Sequence, residues 1–422
     1  MKRILLSVAV VLAAVACSRP QAEVDKIDLF TSVGDTGMLV DAVEITVANP
    51  ASLRGLTAAD FDITGNVSGS YIDPATGEAP TDYVDDGIVV TRKGNKLRIE
   101  AKPFSLNGKT EFRRRIPWEL NCSVDSALNV TAAKADESHI AVLDDCIKGS
   151  FTFAGITREY MLHLPKDKDG NYIPNVPLMV WQIGGGEYNR DLMTCATANR
   201  CLVSLATEGV PCAALMFAIA NPNYSYSASL FPDRIELIDR NNALQMAFID
   251  TLIAEGKVDG TKLFCAGASS GGGCTMRFMM QFPDRFKAAI PCCPMDPIVP
   301  IHQVQEKYEG QFADDLEVAF QGDVYKWNGT DMALAPMDTK AFVEVPMYFV
   351  HASSDRTCKI ASSYAYLEAR KRLGAKNDNL RVISDEELAK YGLPPMIAHF
   401  SWVPLLDDYS EGSVMQWMIS QF

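Results

Sequence analysis

The stretch Lys262-Leu-Phe-Cys-Ala-Gly-Ala-Ser-Ser-Gly-Gly-Gly-Cys-Thr-Met-Arg-Phe278 reads as a short apolar strand, an abrupt turn and a helix. Its turn, Gly267-Ala268-Ser269-Ser270-Gly271, fits the pattern G-x-S-x-G. A serine at so sharp a strand-to-helix turn sits in a strained backbone conformation. The residues two before and two after it must be nearly free of side chain if strand and helix are to approach. A Gly/Ser cluster by itself would be an ordinary loop. Here an apolar strand precedes it, and Met276, Met279, Met280 and Phe282 follow at the spacing of an amphipathic helix closed by Pro283. Ser269 is the expected nucleophile. In the register of Ser270 the upstream glycine would be Ala268, so Ser270 is read as a backbone N–H donor to an oxyanion at the helix N-terminus.

A strand that feeds straight into a helix belongs to a sheet covered by helices, and the chain from about residue 139 alternates accordingly. Phe151 to Pro165 reads as an antiparallel hairpin. Leu178–Ile183, Cys212–Ile219, Leu263–Ala266, Ala288–Cys292, Val345–His351 and Leu380–Ile383 are strand candidates, and Asn242–Glu255 has helical spacing. Alternation of this kind predicts a mostly parallel sheet with helices on both faces and a ligand site at the carboxyl edge of its strands. The stretch at about 295–342, carrying Tyr308, Phe312, Phe320, Tyr325 and Trp327, is too long for an ordinary connection. A lid over the serine and a packed structural insertion both account for it.

Upstream, residues 24–138 change character. Val43, Ile45 and Val47 alternate with polar residues, as do Leu97, Ile99 and Ala101, and Phe112, Ile116, Trp118 and Leu120 share one parity. Short runs of period two broken by Gly, Asn, Asp and Pro predict a small all-β sandwich.

A serine hydroxyl is a weak nucleophile until a base takes its proton, and that base needs a carboxylate to orient it. Of five histidines, His139, His163, His302 and His351 have ordinary structural readings. His399 follows the last strand candidate in a Pro-rich loop, where the base belongs in the chain order Ser, Asp, His. Asp355, just past the Val345–His351 strand, is the expected acid, with Asp296 behind it. Asp407 and Asp408 read as first-turn residues of the last helix, where their charge suits the dipole. A second oxyanion donor is expected from the Gly184-Gly185-Gly186 loop, at the N–H of Gly185 with Gly184 next in line. That loop lacks the Lys-Ser/Thr of a P-loop and the G-x-G-x-x-G spacing, so a phosphate cradle is a poor reading.

Neither a metal nor a cofactor is expected, since no C-x-x-C or Cys/His zinc spacing occurs among the eleven cysteines. Cys265, Cys292 and Cys293 lie in apolar runs and read as buried thiols. Pairing among Cys195, Cys201 and Cys212 is left open. The formal charge of −14 with no basic run argues against nucleic acid as a partner, because that affinity rests on neutralising phosphates.

Residues 1–17 have two cations, a short apolar core and then small residues, the pattern of a secretory signal. The Ala14-Val-Ala-Cys17 ending resembles the lipobox of bacterial lipoproteins. It implies an exported protein held in the cell envelope by a lipid on Cys17, its one contact with a membrane; a soluble secreted protein cut near Ala16 is the alternative.

With these pieces placed, residues 147–422 resemble the α/β-hydrolase branch that includes feruloyl and acetyl-xylan esterases and polyhydroxybutyrate-depolymerase-like enzymes. The residues that carry the resemblance are the Gly184-Gly-Gly-Glu187 loop, Val258-Asp-Gly, Gly267 to Gly272, Pro283 to Ile290, His351 to Asp355 and His399 to Trp402. One departure is Ile183-Gly184 where the family often has His-Gly. The β-rich leader resembles the immunoglobulin-like N-terminal domain of some bacterial esterases, and would act as spacer, homo-oligomer contact or substrate-side wall. The expected architecture is thus a signal and lipobox (1–17), an immunoglobulin-like sandwich (24–138) and an α/β-hydrolase domain (139–422). The expected activity is cleavage of short acyl or aryl esters, free or linked to polysaccharide. A serine peptidase on the same fold and an inert carbohydrate-binding lipoprotein are the alternatives.

Overall fold

The computed structural model describes residues 19–34, 37–65, 83–84, 87–105, 107–108, 111–115, 118–219, 232–295, 298–302, 312–314, 316–320, 322–391, 393 and 398–422. Cys17, Ile116, Asp296, Tyr308 and the Pro394–Ile397 part of the loop before His399 lie outside them.

Among the described residues the β-rich leader has a short Asn107–Gly108, Glu111–Arg115 pair and two antiparallel-rich sheets. One runs in the order Glu137–Ile140, Val24–Gly34, Gly37–Val47, Lys96–Ser105, Val89–Lys93; the other in the order Val130–Thr131, Trp118–Cys122, Phe61–Gly65, Tyr83–Val84. The alternation seen in the sequence sets their inner faces. Val43, Ile45, Val47, Leu97 and Ile99 join Ile63, Trp118 and Leu120 in one buried core. The last strand of the leader, Glu137–Ile140, pairs in parallel with Val24–Gly34.

The larger sheet has eight strands in the order Ile147–Phe153, Ile156–His163, Ala213–Phe217, Val176–Gln182, Val258–Ala268, Ala288–Cys292, Tyr348–Ala352, Asn379–Ile383. The first two pair antiparallel and Ile156–His163 also runs antiparallel to Ala213–Phe217, while every later pairing is parallel. The central strands carry continuous apolar runs, such as Leu178–Trp181 and Leu263–Ala266, because both faces are covered there. Met179, Trp181, Phe264 and Ala266 enter the core on one side. Leu178, Val180, Leu263 and Cys265 enter the core on the other.

Three sequence expectations need correcting. The helix predicted over Asn242–Glu255 is Pro232–Ala254; Pro at a helix start has a ready-set φ and lacks only an N–H that would have been orphaned there. The Ser270–Gln281 helix keeps its apolar stripe, but its polar side does not face solvent, since all its residues are buried. Two of its polar members, Arg277 and Gln281, find partners inside the fold. Arg277 donates to both carboxylate oxygens of Asp239, at 2.9 and 2.7 Å, and Gln281 Nε2 donates to the carbonyls of Asp239 and Tyr325. Asp407 ends a separate Trp402–Asp407 helix, with Asp408 just beyond it, and the last helix is Val414–Ile419. Asp407 and Asp408 instead pair with Arg200 and Arg381.

Candidate active site

The elbow is built as its glycines require. Ser269 sits at φ 60° and ψ −124°, between the Val258–Ala268 strand and the Ser270–Gln281 helix. A non-glycine residue at positive φ is held there only when its surroundings over-determine it. The Ser269 N–H donates to Cys292 O at 3.0 Å, and its carbonyl accepts from Gly273 N and Met295 N at 3.1 and 3.0 Å. A Cβ on Gly267 would come within 2.6 Å of Gly271 O and 2.7 Å of Gln182 O. One on Gly271 would enter the Gln182 carbonyl.

The register of the parallel strands brings the other groups to the same edge. Gln182 aligns with Gly267, Ala268 with Cys292, and Cys292 with Val350. Gly184–Gly185, Ser269 and Asp355 therefore all lie just past strand ends. Asp355 is buried, and its Oδ1 accepts from the N–H groups of Thr357 and Cys358 at 2.8 and 3.0 Å. Its Oδ2 lies 2.7 Å from His399 Nδ1. A carboxylate can only accept, so Nδ1 carries the proton and Nε2 is left as the basic nitrogen.

A second histidine reaches the same carboxylate. His351, fully buried, has its Nε2 3.4 Å from Asp355 Oδ2 and 2.7 Å from the carbonyl of Cys358, with Nδ1 2.8 Å from Ser363 Oγ. The sequence reading gave His351 no role beyond structure. The available signal was its spacing, four residues ahead of the acid at the end of the same strand.

Burial opposes the charge on Asp355, but hydrogen bonding from His351 and His399 outweighs it and holds the carboxyl well below the usual carboxylate range. For His399, burial lowers the pKa, while the Cys293 sulfur and the Asp355 carboxylate raise it, and the net direction is up from 6.5. Burial also pushes the Cys293 thiol well above its ordinary value, so it is uncharged near neutrality. Asp355 is then the charge that the imidazole feels.

Ser269 and His399 line one cavity of about 450 Å³ together with Gly184, Gly185, Gly186, Glu187, Asn199 and Thr357. Trp181, Phe400 and Trp402 supply its aromatic lining. The Ser269 hydroxyl is 3.9 Å from Cys358 Sγ, and among the described residues it makes no hydrogen bond to His399. Catalytic hydrogen bonds of this kind often tighten only when substrate is bound. Of the two expected oxyanion donors, the N–H groups of Ser270 and Gly185 have no backbone or side-chain acceptor among the described residues. Gly184 is different, because its N–H already donates to Glu187 Oε2 at 2.5 Å.

The described part of the 295–342 stretch contributes no residue to the cavity. Its Asp323–Trp327 and Met332–Pro336 hairpin packs on the Pro232–Ala254 and Ser270–Gln281 helices, with Tyr325 N–H donating to Asp239 at 2.8 Å. The ten described cysteines are all buried, and none of them is in a disulfide. Cys293, Asp355 and His399 offer three ligand atoms within 4.8 Å of one another, and two of the three, Asp355 and His399, are hydrogen-bonded to each other. No described helix is long and apolar enough to cross a membrane.

The model of the Prolyl oligopeptidase family matches residues 241–387, a stretch that holds Ser269 and Asp355 and stops short of His399. No curated protein matches the chain. Among solved structures, a thermostable esterase superposes with a TM-score of 0.62 at 18% identity, covering 94% of this chain and 99% of that one. Est1E from Butyrivibrio proteoclasticus gives 0.37 at 18% identity over 65% of this chain and 98% of that one. The likeness to the thermostable esterase, together with the strand order, shows the fold: an α/β-hydrolase sheet preceded by a small β domain.

Proposed function

We propose that the chain is a serine hydrolase of carboxylic esters, with Ser269 as nucleophile, His399 as general base and Asp355 as its orienting acid. The observation that carries this is a serine held at positive φ at the strand-to-helix turn, in one cavity with an imidazole that is 2.7 Å from a buried carboxylate. His399 Nε2 takes the hydroxyl proton as Ser269 Oγ bonds to the ester carbon, and the carbonyl electron pair moves onto oxygen. The N–H groups of Ser270 and Gly185 hold that oxyanion. Collapse expels the alcohol, protonated by the imidazolium, and leaves an acyl-serine. Water then repeats the sequence and releases the acid. Trp181, Phe400 and Trp402 suit a short acyl or aryl group, and an ester borne on polysaccharide is the setting that the family resemblance suggests.

The test is Ser269→Ala beside wild type, read by turnover of acetyl, feruloyl and p-nitrophenyl esters and by labelling with a fluorophosphonate probe. Loss of both in a folded variant is expected; wild-type turnover would refute the assignment. The match to the Prolyl oligopeptidase family favours a second reading, a peptidase using the same three residues. Cleavage of a peptide panel with no ester turnover would establish it. A protein that takes no probe and turns over neither substrate would be the inert binding lipoprotein.

The leader is proposed to be an immunoglobulin-like spacer that also serves as a homo-oligomer contact, and Cys17 an acylation site holding the protein in the bacterial envelope. Cys17→Ser should abolish incorporation of labelled palmitate and release the protein from membranes; unchanged incorporation would overturn the anchor. Sedimentation of residues 139–422 against the longer chain tests the oligomer contact, and an unchanged assembly state would refute it.

A further inference from the structure

Next to the oxyanion loop stands a carboxylate that the mechanism does not use. Glu187 is 7% exposed. Its Oε2 accepts the Gly184 N–H at 2.5 Å and its Oε1 accepts from Asn199 Nδ2 at 2.8 Å. Asn199 is fixed in turn: Nδ2 also donates to Cys195 O at 2.9 Å, and Oδ1 accepts the Cys201 N–H at 3.1 Å. It ends the Leu192–Asn199 helix, just before Arg200 at φ 61°, and that helix packs on the Gly37–Val47 strand of the leading domain. A run of hydrogen bonds therefore links a rigid helix end to the loop beside the nucleophile. The loop is in close contact with the elbow, since a Cβ on Gly184 would lie 3.3 Å from Ala268 O and 3.8 Å from Ser269 Cβ.

We propose that Glu187 is a positioning residue for the oxyanion hole: by capturing the Gly184 N–H against Asn199 it sets the loop so that Gly185, the next residue, presents its N–H to the reacting oxygen. The inference rests on the serine-hydrolase reading above. Its chemistry depends on a group that only accepts. Both neighbours donate, and a carboxylate has an oxygen for each. An amide in its place can accept from Gly184 through oxygen, but it must then turn its NH2 toward the NH2 of Asn199.

The variants are Glu187→Gln, Asn199→Asp and the two together. In the double variant the amide introduced at position 187 donates to a carboxylate at position 199 while still accepting from Gly184, so complementarity returns at the 187–199 contact with the polarity reversed, while the bond from position 199 to Cys195 O is lost. Four quantities are read: kcat and KM for p-nitrophenyl acetate, the rate of inactivation by a fluorophosphonate, whose tetrahedral adduct needs the same hole, and Tm. Removing an oxyanion donor outright costs about 10²–10³ in kcat, and a displaced donor should cost less. Glu187→Gln is expected to lose roughly ten- to hundredfold in kcat and in inactivation rate, with KM within about twofold and little change in Tm, and the double variant, still without the bond to Cys195 O, should recover part of both rates. Wild-type kcat in Glu187→Gln overturns the proposal. So does a loss of kcat that follows a fall in Tm and is unmatched in the inactivation rate, or a double variant no better than the single ones despite wild-type Tm. If Ser269→Ala keeps full turnover, the hydrolase reading itself has failed; if Ser269→Ala is dead and Glu187→Gln fully active, only this inference has.

Discussion

Asp355→Asn changes one atom in a fully surrounded carboxyl group, and its consequence follows from proton positions. In the native site Oδ1 receives two backbone N–H groups and Oδ2 receives His399 Nδ1–H at 2.7 Å. The asparagine oxygen will stay with Thr357 and Cys358, since both can only donate, so the amide NH2 must face the imidazole. Two donors cannot share that line. His399 then accepts at Nδ1 and carries its proton on Nε2, the nitrogen that should take the serine proton. A triad locked in the wrong tautomer loses about 10⁴ in kcat in the serine-protease precedent, which is about 5.4 kcal/mol of transition-state stabilisation at 1.36 kcal/mol per decade. The assay is kcat for p-nitrophenyl acetate at neutral pH, with circular dichroism to verify the fold. A second readout is the pH profile. The native His399 pKa is raised above 6.5, and the base works only when neutral, so kcat/KM should climb with pH through a midpoint above 6.5. Without the carboxylate that midpoint should fall. Stability supplies a third readout. A carboxyl with a depressed folded pKa stabilises above its unfolded value near 3.8, and that contribution is lost as pH drops through the folded one. The variant should thus lose less stability than wild type on acidification below about pH 4. Activity within tenfold of wild type, with the profile unmoved, would refute the role of Asp355.

The remaining tests address neighbouring parts of the fold. Ser270→Ala removes a hydroxyl whose one hydrogen bond among the described residues is to Met295 Sδ at 3.3 Å, and keeps the N–H; the loss in kcat should stay under about tenfold, the scale of one neutral hydrogen bond, and abolished probe labelling would mean that the nucleophile is Ser270. Asp239→Ala strands the buried Arg277 guanidinium, 2% exposed, and should cost roughly 3–5 kcal/mol by guanidinium unfolding; a change under about 1 kcal/mol would show that the pair is solvated. Ellman's reagent should reach almost none of the ten described thiols in the native protein and all of them once it is unfolded; fewer after unfolding would reveal disulfides.

What the sequence disclosed and what it withheld divide along physical lines. The elbow was legible because its demands are local: five consecutive residues must satisfy one turn, and Gly267 and Gly271 can do so while larger residues would strike Gln182. The strands were legible because burial on both faces forces a continuous apolar run, as in Leu178–Trp181. His399 was picked from chain order, and its pairing with Asp355 at 2.7 Å needed only that both loops end at one sheet edge. Glu187 and His351 carry little local mark, because their partners lie far along the chain or around a turn, Asn199 in one case and the Asp355–Cys358 loop in the other. The helix after the elbow misled for a related reason. Met276, Met279 and Met280 give it an apolar stripe, yet Arg277 and Gln281 are buried as well, because Asp239 and Tyr325 meet them from other elements. The hairpin that delivers Tyr325 had a local signal in Asn328-Gly329, a pair suited to tight turns, with Gly329 at φ 100°. Short-range constraints are written in neighbouring residues, whereas a buried polar group is explained only by what folds against it. That is why Glu187, a charged residue with 7% exposure beside a glycine loop, could be found only once the strands were assembled.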